Sequence, residues 1–416
     1  MTEPLPDLVA VTRRRAEADT GLVLDLARQL IRIPSRAAED PYGPVLSLLE
    51  KWFADHDLHT RQLITPSGDV VGIVCDVTGS RPGPHYVLDA CIDTAGFGDP
   101  DAWTYTPTSA YIADGWLYGR GAADSKTAAA IFAHIAATLA ERPDHLAGRL
   151  TVLLDADEHT GGFGGATAYF TQLEAQPVTG VMIGYPGDRH IIVGGRGVWR
   201  ATITIHGIAG HTGGSHPGTN AIEKAADLIT RLTTADHDLA AAPVDPAFPL
   251  RPKITITAIH AGTGYTVTPD TATLNLDIRT TPIFTTDHAS ALATTTLGAL
   301  DVDWPHTPVS RLHPCLNWPH YRLPDHAPVV TALLAAAKAA GYTVTPKIAG
   351  PSNIGCYLAG LAIPATAGFG LTHHGLHATD ERIHIPSITT THHAYYLALY
   401  NLLRAPTHLL QADTYA

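Results

Sequence analysis

Hydrophobic positions along this chain follow three successive patterns. Across residues 19–33, apolar side chains at Leu22, Leu24, Leu26, Leu30 and Ile31 keep a helical period, and residues 45–53 do the same. Short continuous apolar runs come next, at residues 70–75, 85–89, 150–155 and 180–184, with helical stretches near 125–141 and 166–174 between some of them. Buried strands alternating with helices predict an α/β domain built on a mixed, largely parallel sheet with helices on both faces.

After Trp199 the pattern changes to alternation. Trp199-Ala201-Ile203-Ile205, Ile254-Ile256-Ala258 and Leu274-Leu276-Ile278 interleave apolar with polar residues, as half-buried antiparallel strands do, and helical segments lie near 220–232 and 287–297. The order strand, helix, strand, strand, helix predicts a ferredoxin-like α+β unit inserted into the first domain. From Ala327 the α/β pattern resumes and ends in a helix near 391–403. The expected organisation is therefore a discontinuous domain, 1–196 and 305–416, interrupted by an insert at 197–304.

Composition narrows the function. The chain has 416 residues, 45% of them apolar and only 16% charged, which suits a folded two-domain protein. A formal net charge of -12 argues against nucleic-acid or anionic-membrane partners and leaves small molecules or peptides. The first residues, Met1-Thr2-Glu3-Pro4-Leu5-Pro6, have no apolar core of signal-peptide length, and no apolar run approaches a membrane span, so the expectation is a cytoplasmic protein. Cys75, Cys91, Cys315 and Cys356 are too scattered for a zinc ribbon or disulfide scaffold.

Three phrases carry chemistry. Leu153-Leu154-Asp155-Ala156-Asp157-Glu158-His159-Thr160-Gly161-Gly162 runs an apolar strand into adjacent acid and imidazole groups, the pairing of proton acceptor and metal ligand that a metal-assisted hydrolase needs. Gly119-Arg120-Gly121-Ala122-Ala123-Asp124-Ser125-Lys126 and His377-Ala378-Thr379-Asp380-Glu381 echo it. Each has a plainer reading. Asp124 could cap the helix behind it. Any one of 24 histidines is more often structural than a ligand. Cys91 could be a buried filler, a metal ligand or a nucleophile. The glycines at 161, 162, 164 and 165 suit a tight turn rather than a phosphate cradle, since no Lys-Ser or Lys-Thr follows them.

With Gly210-His211, Gly218-Thr219-Asn220-Ala221-Ile222, Pro269-Asp270 and Asp277-Ile278-Arg279, these phrases resemble, in order and over nearly the whole chain, the family of zinc aminoacylases, carboxypeptidase G and succinyl-diaminopimelate desuccinylase. The resemblance implies that Asp124 is the bridging metal ligand, that Glu158 activates water, and that His159, standing where the family has glutamate, ligates a metal with His377. It aligns Cys91 and Tyr185 with the ligands of a further zinc, with Asp93 supporting from behind. A neutral phenol is a weak ligand, so the expectation is one zinc per chain, cobalt or manganese also suiting the set. His211, with His216 as its competitor, is implied as an oxyanion-stabilising histidine on a lid, Arg279 as the binder of a substrate carboxylate, and Asn353 as an altered substrate position. Lid-paired homodimers are implied as well.

The leading expectation is hydrolysis of an amide bond in a small N-acyl amino acid or dipeptide-like substrate. Acyl or aminoacyl transfer through Cys91 is the alternative, and an inactive carboxylate-binding homologue is the third.

Overall fold

A computed structural model describes residues 7–172, 177–241 and 243–404. The chain divides into two units, Met1–Val193 with Leu323–Lys347 and Ile363–Ala416, and Gly194–Arg322 with Ile348–Ala362. Residues 1–6, where no signal-like core is expected, lie outside the described residues, as does the end of the helix expected at 166–174.

In the first unit the continuous apolar runs become strands Val70–Thr78, Arg81–Cys91, Ala147–Asp155 and Gly180–Ile183, each close to its expected position. With Thr60–Ile64 and Ala365–Ala367 they make a six-stranded sheet. Arg81–Cys91 lies at its centre, parallel to both Ala147–Asp155 and Gly180–Ile183, and Ala365–Ala367 adds a further parallel strand. Thr60–Ile64 and Val70–Thr78 form an antiparallel margin.

Strand alternation sends successive side chains to opposite faces. His85 meets Thr151 at 2.9 Å, and Tyr169 of helix Gly164–Thr171 donates to the same hydroxyl. Tyr86 points the other way, toward Val329 of helix Pro328–Ala339, and Gly180 makes room there because a Cβ would sit 2.5 Å from Val329 Cγ1. Helices therefore cover both faces.

The register sets the site. Cys91 is level with Asp155, and Asp89 is level with Ile183. The turns that follow these parallel strands, carrying Asp93, Glu158 with His159, and Tyr185, therefore leave from one edge. A crevice beyond the carboxyl ends of parallel strands is where such sheets bind ligands. A second, antiparallel sheet joins His373–His374, Arg382–His384, Trp116–Tyr118 and Tyr111–Ala113. Its pairing of Arg382 with Tyr118 puts the loop after Tyr118 beside the turn before Arg382.

The other unit is antiparallel. Strands Gly197–His206, Lys253–Ala261, Thr271–Thr280 and Arg311–Trp318 alternate with helices Ala221–Ala241 and Thr286–Asp303 in the order strand, helix, strand, strand, helix, strand, and the sheet runs second, third, first, fourth. That is the ferredoxin-like arrangement. Its helices bury Leu228, Leu232, Leu297 and Leu300 against Trp199, Ile203, Leu274 and Ile278, each fully buried aliphatic side chain worth about 1.5–3 kcal/mol. The closing strand, Arg311–Trp318, lies wholly beyond residue 304.

Candidate metal centre

Three loops build the centre. Gly121 opens the first in the left-handed region at φ +85°, where a Cβ would also lie 2.7 Å from Thr94 Cγ2. Asp124 and Ser125 then depart from helical geometry before helix Thr127–Ala140 begins, and the Asp124–Ser125 peptide is cis. Asp124 does not cap that helix. Its Oδ2 lies 2.9 Å from His377 Nε2 and 3.5 Å from His159 Nε2, and its Oδ1 accepts from Ser125 Oγ at 2.8 Å.

The second loop is fixed by Asp93. Its Oδ1 accepts the Glu158 amide at 3.2 Å, and its Oδ2 accepts the His159 amide at 3.0 Å and lies 3.3 Å from His159 Nδ1. A carboxylate holding one imidazole nitrogen aims the other at a ligand position. His159 Nε2 is buried and has no hydrogen-bond partner among the described residues. The third loop brings His377 at φ +58°, with its side chain half exposed.

Asp124, His159 and His377 each offer a ligand atom, and these atoms lie within 4.8 Å of one another. One carboxylate and two imidazoles, with an orphaned buried nitrogen turned inward, fit a divalent metal such as zinc. Cys91, Glu158 and His159 form a second group of the same size sharing His159. There the thiol is engaged, donating to Asp124 Oδ1 at 3.6 Å and Ser125 Oγ at 3.4 Å, and burial pushes it well above its usual range. Tyr185 donates its phenol to Glu158 Oε1 at 2.6 Å, and burial, followed by the Glu158 charge, keeps it protonated.

The site is electrostatically divided. Burial opposes charge on His159, but Asp124 and Asp93 outweigh it and lift the imidazole to about 11. Burial would also raise Asp124, yet the nearby His159 imidazole and the hydrogen bond with His377 hold the carboxyl well below the usual range. Asp124 therefore faces an imidazolium, whose proton a metal would have to displace to bind His159. Burial, then the charge on Asp124, lifts Glu158 to about 7, against a lowering contribution from Tyr185. Behind them Asp89 and Asp155 are fully buried, and among the described residues no group donates to their carboxyl oxygens. Burial raises both, Asp89 to about 7, and the charge of Asp89 adds to the rise of Asp155.

The remaining sequence candidates lie in the other unit. His211 is exposed on strand Gly210–His211, paired with Val267–Thr268, and its Nδ1 accepts the Gly213 amide at 3.1 Å. Arg279 is held by both oxygens of Asp277, at 2.7 and 3.2 Å, and by Ser352 Oγ at 3.1 Å. Asn353 accepts the Gly355 amide at 2.9 Å as the N-cap of helix Ile354–Gly360. Sequence reasoning missed the bond from Tyr185 to Glu158, the burial of Asp89 with Asp155, and the bonds that Glu381 accepts from Arg120, Gly121 and Ala123. A carboxylate ending the His377 phrase was the one available signal for the last.

Known proteins share this architecture. The profile of peptidase family M20/M25/M40 matches residues 88–401. A succinyl-diaminopimelate desuccinylase from Parvibaculum lavamentivorans is 29% identical over 268 residues, which span 62% of this chain and just under two thirds, 65%, of that enzyme. An acetylornithine deacetylase from Edwardsiella ictaluri is 30% identical over 74% of this chain and 80% of its own length. The crystal structure of an M20 family metallo-carboxypeptidase from Sulfolobus solfataricus has the same fold, with a TM-score of 0.72 at 17% identity over 92% of this chain and 99% of that one.

Proposed function

We propose, from the premise that this chain belongs to peptidase family M20/M25/M40, that it is a metal-dependent hydrolase of a linear amide bond, with one zinc held by Asp124, His159 and His377. The substrate is a small N-acyl amino acid or dipeptide-like molecule. The two relatives named as a desuccinylase and a deacetylase favour removal of a short acyl group from an amino acid. The carrying observation is the convergence of Asp124 Oδ2, His159 Nε2 and His377 Nε2 beside a partly buried carboxylate, Glu158.

Bound zinc supplies Lewis acidity toward a carbonyl oxygen and toward water. Glu158 takes the proton of the attacking water on Oε2, because Oε1 is occupied by Tyr185, and passes it to the leaving nitrogen. Asp93 keeps the His159 ring turned toward Asp124. Arg279, oriented by Asp277 and Ser352, is assigned to a substrate carboxylate, a task its planar fork suits. His211 is assigned to the oxyanion and Asn353 to substrate contact. The second unit exposes Tyr265, Val267 and Ile259, which we assign to a homodimer contact that light scattering would detect.

Acyl transfer through Cys91 has less support, since the thiol is 1% exposed and already bonded to Asp124 and Ser125. Metal content by mass spectrometry, on protein purified without chelator or added metal, tests the main reading. One zinc per chain supports it, two restore a dinuclear mechanism with Cys91, and no uptake even on titration removes metal chemistry altogether.

A further inference from the structure

Glu381 is fully buried, and nearly all its acceptor capacity serves one short loop. Its Oε1 accepts the backbone amides of Gly121 at 3.0 Å, Ala123 at 2.9 Å and Asp124 at 3.4 Å. Its Oε2 accepts Arg120 Nη1 at 2.6 Å, and its own carbonyl accepts the Gly119 amide at 2.9 Å. From Gly119 to Asp124, only Ala122 lacks a bond to this residue; its amide goes to the Gly119 carbonyl instead. Arg120 is itself buried and lies 5.1 Å from the centre of the Trp103 ring.

The loop needs this partner. Asp124 and Ser125 are not helical, so no helical ladder takes up the amides before them, and a buried amide left unpaired costs about 1–3 kcal/mol. The same carboxylate stands four residues after His377, whose Nε2 lies 2.9 Å from Asp124 Oδ2. One side chain thus fixes the backbone under Asp124 while its main chain belongs to the turn that carries His377.

We propose that Glu381 is the positioning residue of the centre: it sets Asp124 against His377 and thereby governs how tightly the three-residue set holds a metal. The inference rests on the assignment of that metal to Asp124, His159 and His377. Arg120 orients the carboxylate, leaving Oε1 for the three amides.

Glu381→Gln is the discriminating change. The amide oxygen can still serve the loop, but its NH2 then faces the Arg120 guanidinium, donor against donor. Zinc affinity, read by competition with a chromophoric chelator on protein whose circular dichroism and Tm match wild type, is expected to weaken about 10–100-fold, the range for groups that orient ligands. A merely structural glutamate would lower Tm and leave the affinity of the folded protein alone. Arg120→Met combined with Glu381→Gln removes the donor clash and is expected to recover most of the loss.

Folded Glu381→Gln with wild-type zinc affinity overturns the inference and leaves the metal assignment standing. Wild-type protein that takes up no zinc overturns both. If Glu381→Gln does not fold, Arg120→Lys carries the test, since it keeps the charge and loses the fork. Weaker zinc binding then supports the inference, and unchanged binding overturns it.

Discussion

The phenol of Tyr185 donates to Glu158 Oε1 at 2.6 Å, so one oxygen of that carboxylate is committed before any substrate arrives. A hydrogen bond to a charged group is worth about 1.5–3 kcal/mol. Tyr185→Phe should therefore lower kcat by roughly 10- to 100-fold and leave zinc content at the wild-type value. Steady-state kinetics with metal analysis on the same sample checks this. Loss of metal in the variant would mean that the phenol holds the metal rather than the carboxylate.

Glu158→Gln removes the proton acceptor and keeps the shape. Turnover should fall by about 10²–10⁴ with no change in zinc uptake, because the proposed ligand set excludes this residue. Full activity in the variant would end its assignment as the base.

His374 and His377, three residues apart, should separate cleanly. His377→Ala removes an imidazole 2.9 Å from Asp124 and should cost the protein its zinc on dialysis. His374, whose ring centre lies 5.1 Å from that of Trp116 at a 48° tilt, should be replaceable by Ala with metal content unchanged. Mass spectrometry of the dialysed variants decides between them.

A different cluster predicts how stability varies with pH. His392 is fully buried, neither ring nitrogen has a hydrogen-bond partner among the described residues, and Asp19 approaches only to 4.0 Å. Burial first, then His134, Arg15 and His393, hold it down to about 3, and burial holds His134 down to about 4. Both values lie below the ordinary 6.5 of an unfolded chain, so as pH falls the unfolded state takes up these protons first. Their contribution is complete above about pH 6.5 and is lost from there downward, at no more than about 1.4 kcal/mol per imidazole per pH unit. Urea midpoints should decline across that window, and His392→Gln should flatten the decline.

What the sequence revealed and what it hid have physical causes. Arg81–Cys91 and Ala147–Asp155 are buried on both faces along their inner halves, so their unbroken apolar runs were readable. The strands of the second unit bury one face, and alternation gave them away. Arg311–Trp318 escaped because its burial is shallow and Pro314 interrupts it, leaving little contrast to read. In the centre, Glu158 and His159 announced themselves by adjacency. The bonds from Glu381 to the loop at Gly121 span 260 residues, and the bond from Tyr185 to Glu158 spans 27. Neither spacing has a period, so only the folded chain could show them.

Asp124 and His377 stand 253 residues apart, and the outer strand Ala365–Ala367 that pairs with Gly180–Ile183 comes nearly as late. At about 5–20 residues per second, synthesis leaves an interval of roughly 10–50 s in which Asp124 and His159 have been made and their third companion has not. During that time the edge of Gly180–Ile183 is also unpaired. If the metal is held by the proposed set of Asp124, His159 and His377, that set is complete only once the His377 turn has been made, and a product truncated before it would lack one of the three proposed ligands.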